Sequence, residues 1–166
     1  MNAKSEELQT AIVTGASSGI GLGITRTLLE RGYRVVGNSR TISKSKELKA
    51  SADLVLVDGD IGKKDTAIKV ADAAIKHFGR IDLLVNSAGI YMPKPFTEYT
   101  PLDFEMMIGT NVAGYFFITQ QAVAQMRKQK SGHIVSISTV LTDQPLAEWN
   151  LNHEHHHNER RNADLL

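Results

Sequence analysis

Five short, nearly unbroken apolar runs punctuate the chain, at 11–14, 34–37, 54–57, 82–86 and 133–138. Runs of this length without polar alternation fit strands covered on both faces, as in a parallel sheet. Between them, apolar residues recur at helical spacing: Ile20, Ile24 and Leu28, then Ile68, Ala71 and Ile75, then Val112, Phe116, Val123 and Met126. Alternating strands and helices predict an α/β protein. Right-handed crossovers then give a doubly wound parallel sheet of about five strands in the order 3-2-1-4-5. There are no internal repeats.

The first strand runs into Thr14-Gly15-Ala16-Ser17-Ser18-Gly19-Ile20-Gly21, and the helical pattern begins there. A strand, a glycine turn and a helix N-terminus in succession leave backbone N–H groups and the positive end of the helix dipole free to meet a pyrophosphate at close range. Glycines also serve ordinary tight turns. The placement at the start of a βαβ unit is what favours a nucleotide site and a Rossmann-like fold. Gly15, Ser17, Ser18, Gly19, Ile20 and Gly21 are its candidate contacts.

Charge and composition narrow the partners. Nineteen Lys and Arg against 18 Asp and Glu leave no strong field to draw nucleic acid or a membrane surface. No apolar run approaches the roughly 20 residues of a membrane span. The absence of cysteine removes disulfides, thiolate nucleophiles and Cys-ligated zinc. The first residues lack the apolar stretch of a signal peptide, so a cytoplasmic protein is expected.

At the carboxyl ends of the predicted strands the chain resembles the short-chain dehydrogenase/reductase family. The resemblance rests on Thr14-Gly15-x-x-x-Gly19-x-Gly21, Asp60-Ile61, Asn86-Ser87-Ala88-Gly89, Thr110-Asn111-Val112-x-Gly114 and Gly132-His133-Ile134-Val135-Ser136-Ile137-Ser138-Thr139, in that order over residues 8–140. It implies reversible hydride transfer between a nicotinamide cofactor and a small carbonyl or alcohol substrate, and homo-oligomers for full-length relatives. Asp60, with Ile61 beside it, would accept the adenine amino group, although it could equally start a loop. Asn86, Ala88 and Gly89 would keep the sheet end open beside the cofactor. Asn111 would hold a proton-relay water and the kink of its helix, or be a plain helix-start residue.

Cofactor type is read at the end of the second strand, where a carboxylate would bind the ribose 2′-OH of NAD and repel the extra phosphate of NADP. The residues there are Val36-Gly37-Asn38-Ser39-Arg40. Ser39 and Arg40 stand in the acid's place, and the Arg fork suits a 2′-phosphate. NADP is therefore favoured over NAD.

The chemistry departs from the family's pattern. There a tyrosine exchanges the substrate proton, the lysine of Tyr-x-x-x-Lys lowers its pKa, and a strand-5 hydroxyl orients the substrate oxygen. No Tyr-x-x-x-Lys occurs anywhere in this sequence. The strand register puts the hydroxyl on Thr139, with Ser138 just before it, so the candidate catalytic residues are Asn111, Ser138 and Thr139. Two functions stay open: an oxidoreductase with an incomplete active site, or a non-catalytic dinucleotide-binding module.

These readings divide the chain into a dinucleotide-binding Rossmann domain over 1–146, incomplete, and a polar, His-rich tail over 147–166. The tail has no strand or helix period and reads as disordered. His153-Glu154-His155-His156-His157 formally satisfies His-Glu-x-x-His, but it is polar on every side and no buried helix can be argued for it, so no metal site is assigned. From about Glu148 the sequence is expected to be an altered end, such as a frameshift, rather than the domain's natural continuation. An apolar edge left uncovered by it would make the chain prone to aggregate.

Overall fold

The computed structural model describes residues 8–138. Thr139 and the 147–166 tail with its His-Glu-x-x-His cluster lie outside the described residues. Five parallel strands, β1 (Thr10–Thr14), β2 (Arg34–Ser39), β3 (Leu54–Asp58), β4 (Leu83–Asn86) and β5 (His133–Ser136), form one sheet in the order β3-β2-β1-β4-β5. Both the order and the all-parallel pairing agree with the sequence reading. Helix α1 (Gly19–Glu30) packs on one face of the sheet. Helices α2 (Lys64–Phe78) and α4 (Tyr115–Gln129) pack on the other. Ile12, Val13, Val35, Val36 and Leu84 are fully or almost fully buried, so the central strands must be apolar on both faces.

Strand ends depart from the apolar runs where side chains supply the pairing. β2 continues through Asn38 and Ser39 because the buried Asn38 side chain donates to the carbonyls of Val57 and Gly59, at 2.9 and 3.2 Å. β5 stops at Ser136 rather than reaching Ser138. Its partner β4 gives its last carbonyl, that of Asn86, to the Ile137 amide at 2.9 Å and then turns toward β1. Asp82, expected within β4, precedes it. Its carboxylate accepts from the Thr10 amide at 2.8 Å and from two nitrogens of Arg80 at 2.8 Å each, a paired charge at the foot of the sheet.

The last helical pattern is corrected most. Helix α3 (Pro101–Met107) continues through a π-helical stretch, Ile108–Gly114, into α4. The wider π turn shifts the phase of the residues after it. The core face of α4 is therefore Ile118, Ala122 and Met126, while Val112 and Phe116 stay more than half exposed. On α2, likewise, Ala67, Val70, Ala71 and Ala74 pack against the sheet and Ile75 is partly exposed. Among the described residues no helix is long and apolar enough to cross a membrane.

Helix α3 begins with a capping box. The Thr100 hydroxyl accepts from the Asp103 amide, and Asp103 Oδ2 accepts from the Thr100 amide at 2.8 Å. Lys94 Nζ donates to the same carboxylate at 2.5 Å, and these bonds, that from Lys94 first, pull its pKa from 3.8 down to about 2. A carboxyl whose pKa is lower folded than unfolded adds stability above the unfolded value and loses it as pH falls through the folded one. Asp103→Asn is accordingly expected to melt below the unsubstituted protein near neutral pH, with the gap closing between about pH 4 and pH 2. A gap undiminished at pH 2 would contradict this account.

Candidate active site

The carboxyl ends of the strands open on a cleft of about 590 Å³. Its floor is the β1–α1 turn. Gly15 has φ +68°, a conformation that side chains disfavour, and a Cβ there would stand 2.9 Å from the Ala88 Cα. Gly21 is tighter still: a Cβ would lie 2.3 Å from the Gly15 carbonyl oxygen. The glycines thus let the helix N-terminus press onto its own turn and onto the 87–89 segment. Ser18 is the N-cap of α1, and its side chain makes no cap hydrogen bond. The first turn of α1 carries no acidic residue, which leaves its opening amides and dipole unopposed toward an anion.

The structure brings most of the sequence candidates to this cleft. Gly15, Ser17, Ser18, Ile20, Gly21, Ser39, Arg40, Asp60, Ile61, Ala88 and Gly89 all line it, and Gly19 sits in the same turn at φ +53°. Asp60 Oδ1 accepts from the Gly62 amide at 2.9 Å, which fixes the carboxylate at the cleft's edge. Asn86 lies deeper. It lines a separate hollow of about 60 Å³ with Asn111, Tyr115, Ser136 and Ile137, and its Nδ2 donates to the Thr119 hydroxyl at 3.1 Å. Its Oδ1 is buried with no partner among the described residues.

Asn111 sits in the π stretch, and both ends of its amide are used. Oδ1 accepts from the Ile90 amide and Nδ2 donates to the Ile90 carbonyl, each at 2.9 Å. The side chain clamps the loop that leaves Gly89. Ser138 follows β5 and is exposed, while Ile137 before it reaches both the cleft and the hollow.

Sequence reasoning missed several residues that shape the site. Thr14 Oγ1 accepts from the amides of Ser87 and Ala88, at 3.1 Å each, tying the end of β1 to the turn after β4. Asn38 reads in sequence as a strand-end residue, yet its carbonyl accepts from the Ala16 amide at 3.0 Å, while its side-chain amide bridges to β3. Lys63, Leu102, Glu105 and Met106 complete the cleft wall.

A family profile described as short chain dehydrogenase matches residues 9–151. Among curated relatives, YtkK of Bacillus subtilis, whose assignment as an oxidoreductase is provisional, is 36% identical over 139 residues, covering 78% of this chain and 54% of its own. A short-chain dehydrogenase/reductase of the glucose/ribitol dehydrogenase type from Brucella melitensis superposes with a TM-score of 0.75 at 27% identity, over 85% of this chain and 61% of that one. The structure of ElxO with NADP bound superposes with a TM-score of 0.73 at 28% identity, over 84% and 58%. The chain spans a little over half the length of the curated relatives it matches.

Proposed function

The chain belongs to the short chain dehydrogenase family, and on that premise we propose that its cleft binds a nicotinamide dinucleotide, NADP(H) in preference to NAD(H), as the cofactor-binding part of an oxidoreductase acting on a carbonyl or alcohol. The observation that carries the reading is the cradle at the β1–α1 turn, where a Cβ on Gly21 would meet the Gly15 carbonyl at 2.3 Å. Backbone pressed this close leaves room for a pyrophosphate over the α1 N-terminus. The bound cofactor would supply or accept the hydride. Ser17, Ser18 and the first amides of α1 would hold the phosphates, Asp60 and Ile61 the adenine end, and Ala88 and Gly89 the wall beside the nicotinamide half. Asn111 acts as a positioning residue, because its amide holds the Ile90 backbone and so the loop leaving Gly89. Residues 1–146 form the dinucleotide-binding unit in this reading.

Arg40 supports NADP(H). It lines the cleft immediately after Ser39, no carboxylate projects into the cleft from the end of β2, and the NADP-bound state of ElxO is a precedent at the same fold. An Arg fork on a phosphate contributes on the order of 1.5–3 kcal/mol, roughly ten- to a hundredfold in affinity. Titration by nicotinamide fluorescence is expected to show tighter binding of NADPH than NADH, with the order reversed by Arg40→Asp. Equal affinities for the two coenzymes would sink the assignment. The second reading, a non-catalytic dinucleotide-binding module, is favoured by one feature, the absence of Tyr-x-x-x-Lys from the sequence. It keeps coenzyme binding and shows no turnover.

A further inference from the structure

Asp58 is the last residue of β3 and stands in register with Ser39, the last of β2. Register neighbours in a parallel pair project from the same face, about 4.8 Å apart. The Asp58 side chain therefore leaves the sheet beside Ser39, which lines the cleft next to Arg40. A carboxylate reaching the end of β2 from here would accept hydrogen bonds from a ribose 2′-OH and repel a 2′-phosphate, as an acid on that strand end does. Asp58 nevertheless does not line the cleft. Both its oxygens are engaged by Ser43, Oδ1 accepting from the Ser43 amide at 2.8 Å and Oδ2 from the Ser43 hydroxyl, with smaller contributions from the Lys44 charge and the Ile42 backbone. Those two bonds, the hydroxyl's first, hold the carboxyl below its ordinary range and so keep it ionised. Ser43 is itself presented from an anchored backbone, because it lies in the turn Ile42–Lys44 and the Ile42 side chain is fully buried under Gly37.

We infer that Ser43 is a specificity-determining residue: by holding both oxygens of Asp58 it masks an acid that would otherwise select NAD(H), and leaves the end of β2 to Arg40. The inference rests on the NADP(H) reading of the cleft. Without the Ser43 hydroxyl one oxygen of Asp58 is released, and a side-chain rotation carries a full negative charge toward Ser39 and Arg40. There it competes with the 2′-phosphate for the guanidinium and repels the dianion.

The test is a set of NADPH and NADH titrations, read by nicotinamide fluorescence, on the full chain and on Ser43→Ala, Ser43→Thr and the double variant Ser43→Ala/Asp58→Asn. Ser43→Ala is expected to lower the NADPH-to-NADH affinity ratio by up to about tenfold, the full repulsion between a carboxylate and a dianion about 6–7 Å apart at near-water dielectric being the upper bound, because Asp58 is already charged in the unsubstituted chain. Ser43→Thr keeps the hydroxyl and is expected to hold the ratio within about twofold, while the double variant, which lacks the carboxylate altogether, returns to the starting ratio or rises above it. Should Ser43→Ala fail to fold, Ser43→Cys keeps the volume with only a weak donor and carries the same comparison. An unchanged ratio in Ser43→Ala overturns the inference. So does an equal loss of both coenzymes, or a double variant as impaired as the single, since either leaves the pair a merely structural tie. An unsubstituted chain that binds neither coenzyme overturns both the nucleotide reading and this one. A ratio that survives Arg40→Asp overturns the role of Arg40 alone, and the Ser43→Ala comparison still decides the mask.

Discussion

Gly21→Val is expected to abolish dinucleotide binding, with a loss of at least about a hundredfold for NADPH and NADH alike. Even the first added carbon would stand 2.3 Å from the Gly15 carbonyl oxygen, 2.8 Å from its carbon and 3.2 Å from the Ser87 hydroxyl. Two of the three are backbone atoms, which cannot swing aside as a flexible side chain would. Either α1 slides away from the turn or the turn leaves the Ala88 backbone, and both separate the helix amides from the place where a pyrophosphate would sit. Overpacking a tight contact costs roughly 1–3 kcal/mol in stability, and a displaced cradle loses its aligned donors in addition. Gly23 supplies the control. It lies further along the same helix, with nothing within 4 Å of its missing Cβ. Gly23→Ala is expected to leave affinity unchanged and raise stability by about 0.5–1 kcal/mol, because alanine has the better helix propensity. Coenzyme titrations with thermal melts on both variants decide the matter. Gly21→Val protein that binds like the unsubstituted chain would remove the cradle from the site.

The contrast between those glycines marks how far the sequence can be read. Gly15 and Gly21 are legible because the positive φ of the first and the contact of the second with the Gly15 carbonyl are local, set where a strand, a turn and a helix start adjoin in the chain. The strands are legible for a similar reason, since burial on both faces leaves runs such as Ala11-Ile12-Val13 no polar position. Residues that act across the fold leave no such local trace. Thr14 meets Ser87 from 73 positions away, and as a β-branched residue at a strand end it looks like any other. Asn38 and Asp58 look like ordinary strand-end polarity in sequence. Only the sheet register shows that the first bridges β2 to β3 and that the second stands beside Ser39. Helix faces fail for a different reason. A period of 3.6 extrapolated through Asn111 cannot foresee a π turn, so Val112 and Phe116 are assigned to the core while Ile118 and Ala122 occupy it.

Carbonyl reduction by this chain is expected to be slower than that of an ordinary enzyme by about 10²–10⁴, the contribution usually made by a positioned acid–base group. Hydride transfer to a carbonyl carbon leaves an alkoxide that must take a proton as it forms. The resemblance assigns that step to a tyrosine with a lysine four residues on. The four tyrosines here, Tyr33, Tyr91, Tyr99 and Tyr115, are followed at that spacing by Gly37, Pro95, Asp103 and Thr119. A phenol with a pKa of about 10 and no such lysine is a poor proton carrier near neutral pH. Neither of the candidate catalytic residues among the described ones replaces it. Asn111 has both ends of its amide committed to Ile90, and a hydroxyl such as that of Ser138 can polarise a carbonyl oxygen without being an acid strong enough to protonate it. Coenzyme oxidation followed by absorbance across a panel of ketones is therefore expected to run at about 0.1 s⁻¹ or less, against the median of about 10 s⁻¹ for enzymes at large. Coenzyme binding persists in the same preparation. Turnover near that median, dependent on NADPH and abolished by Gly21→Val, would mean that another side chain delivers the proton, and Tyr115, half exposed beside Asn111 and Ser136, would be the first residue to substitute.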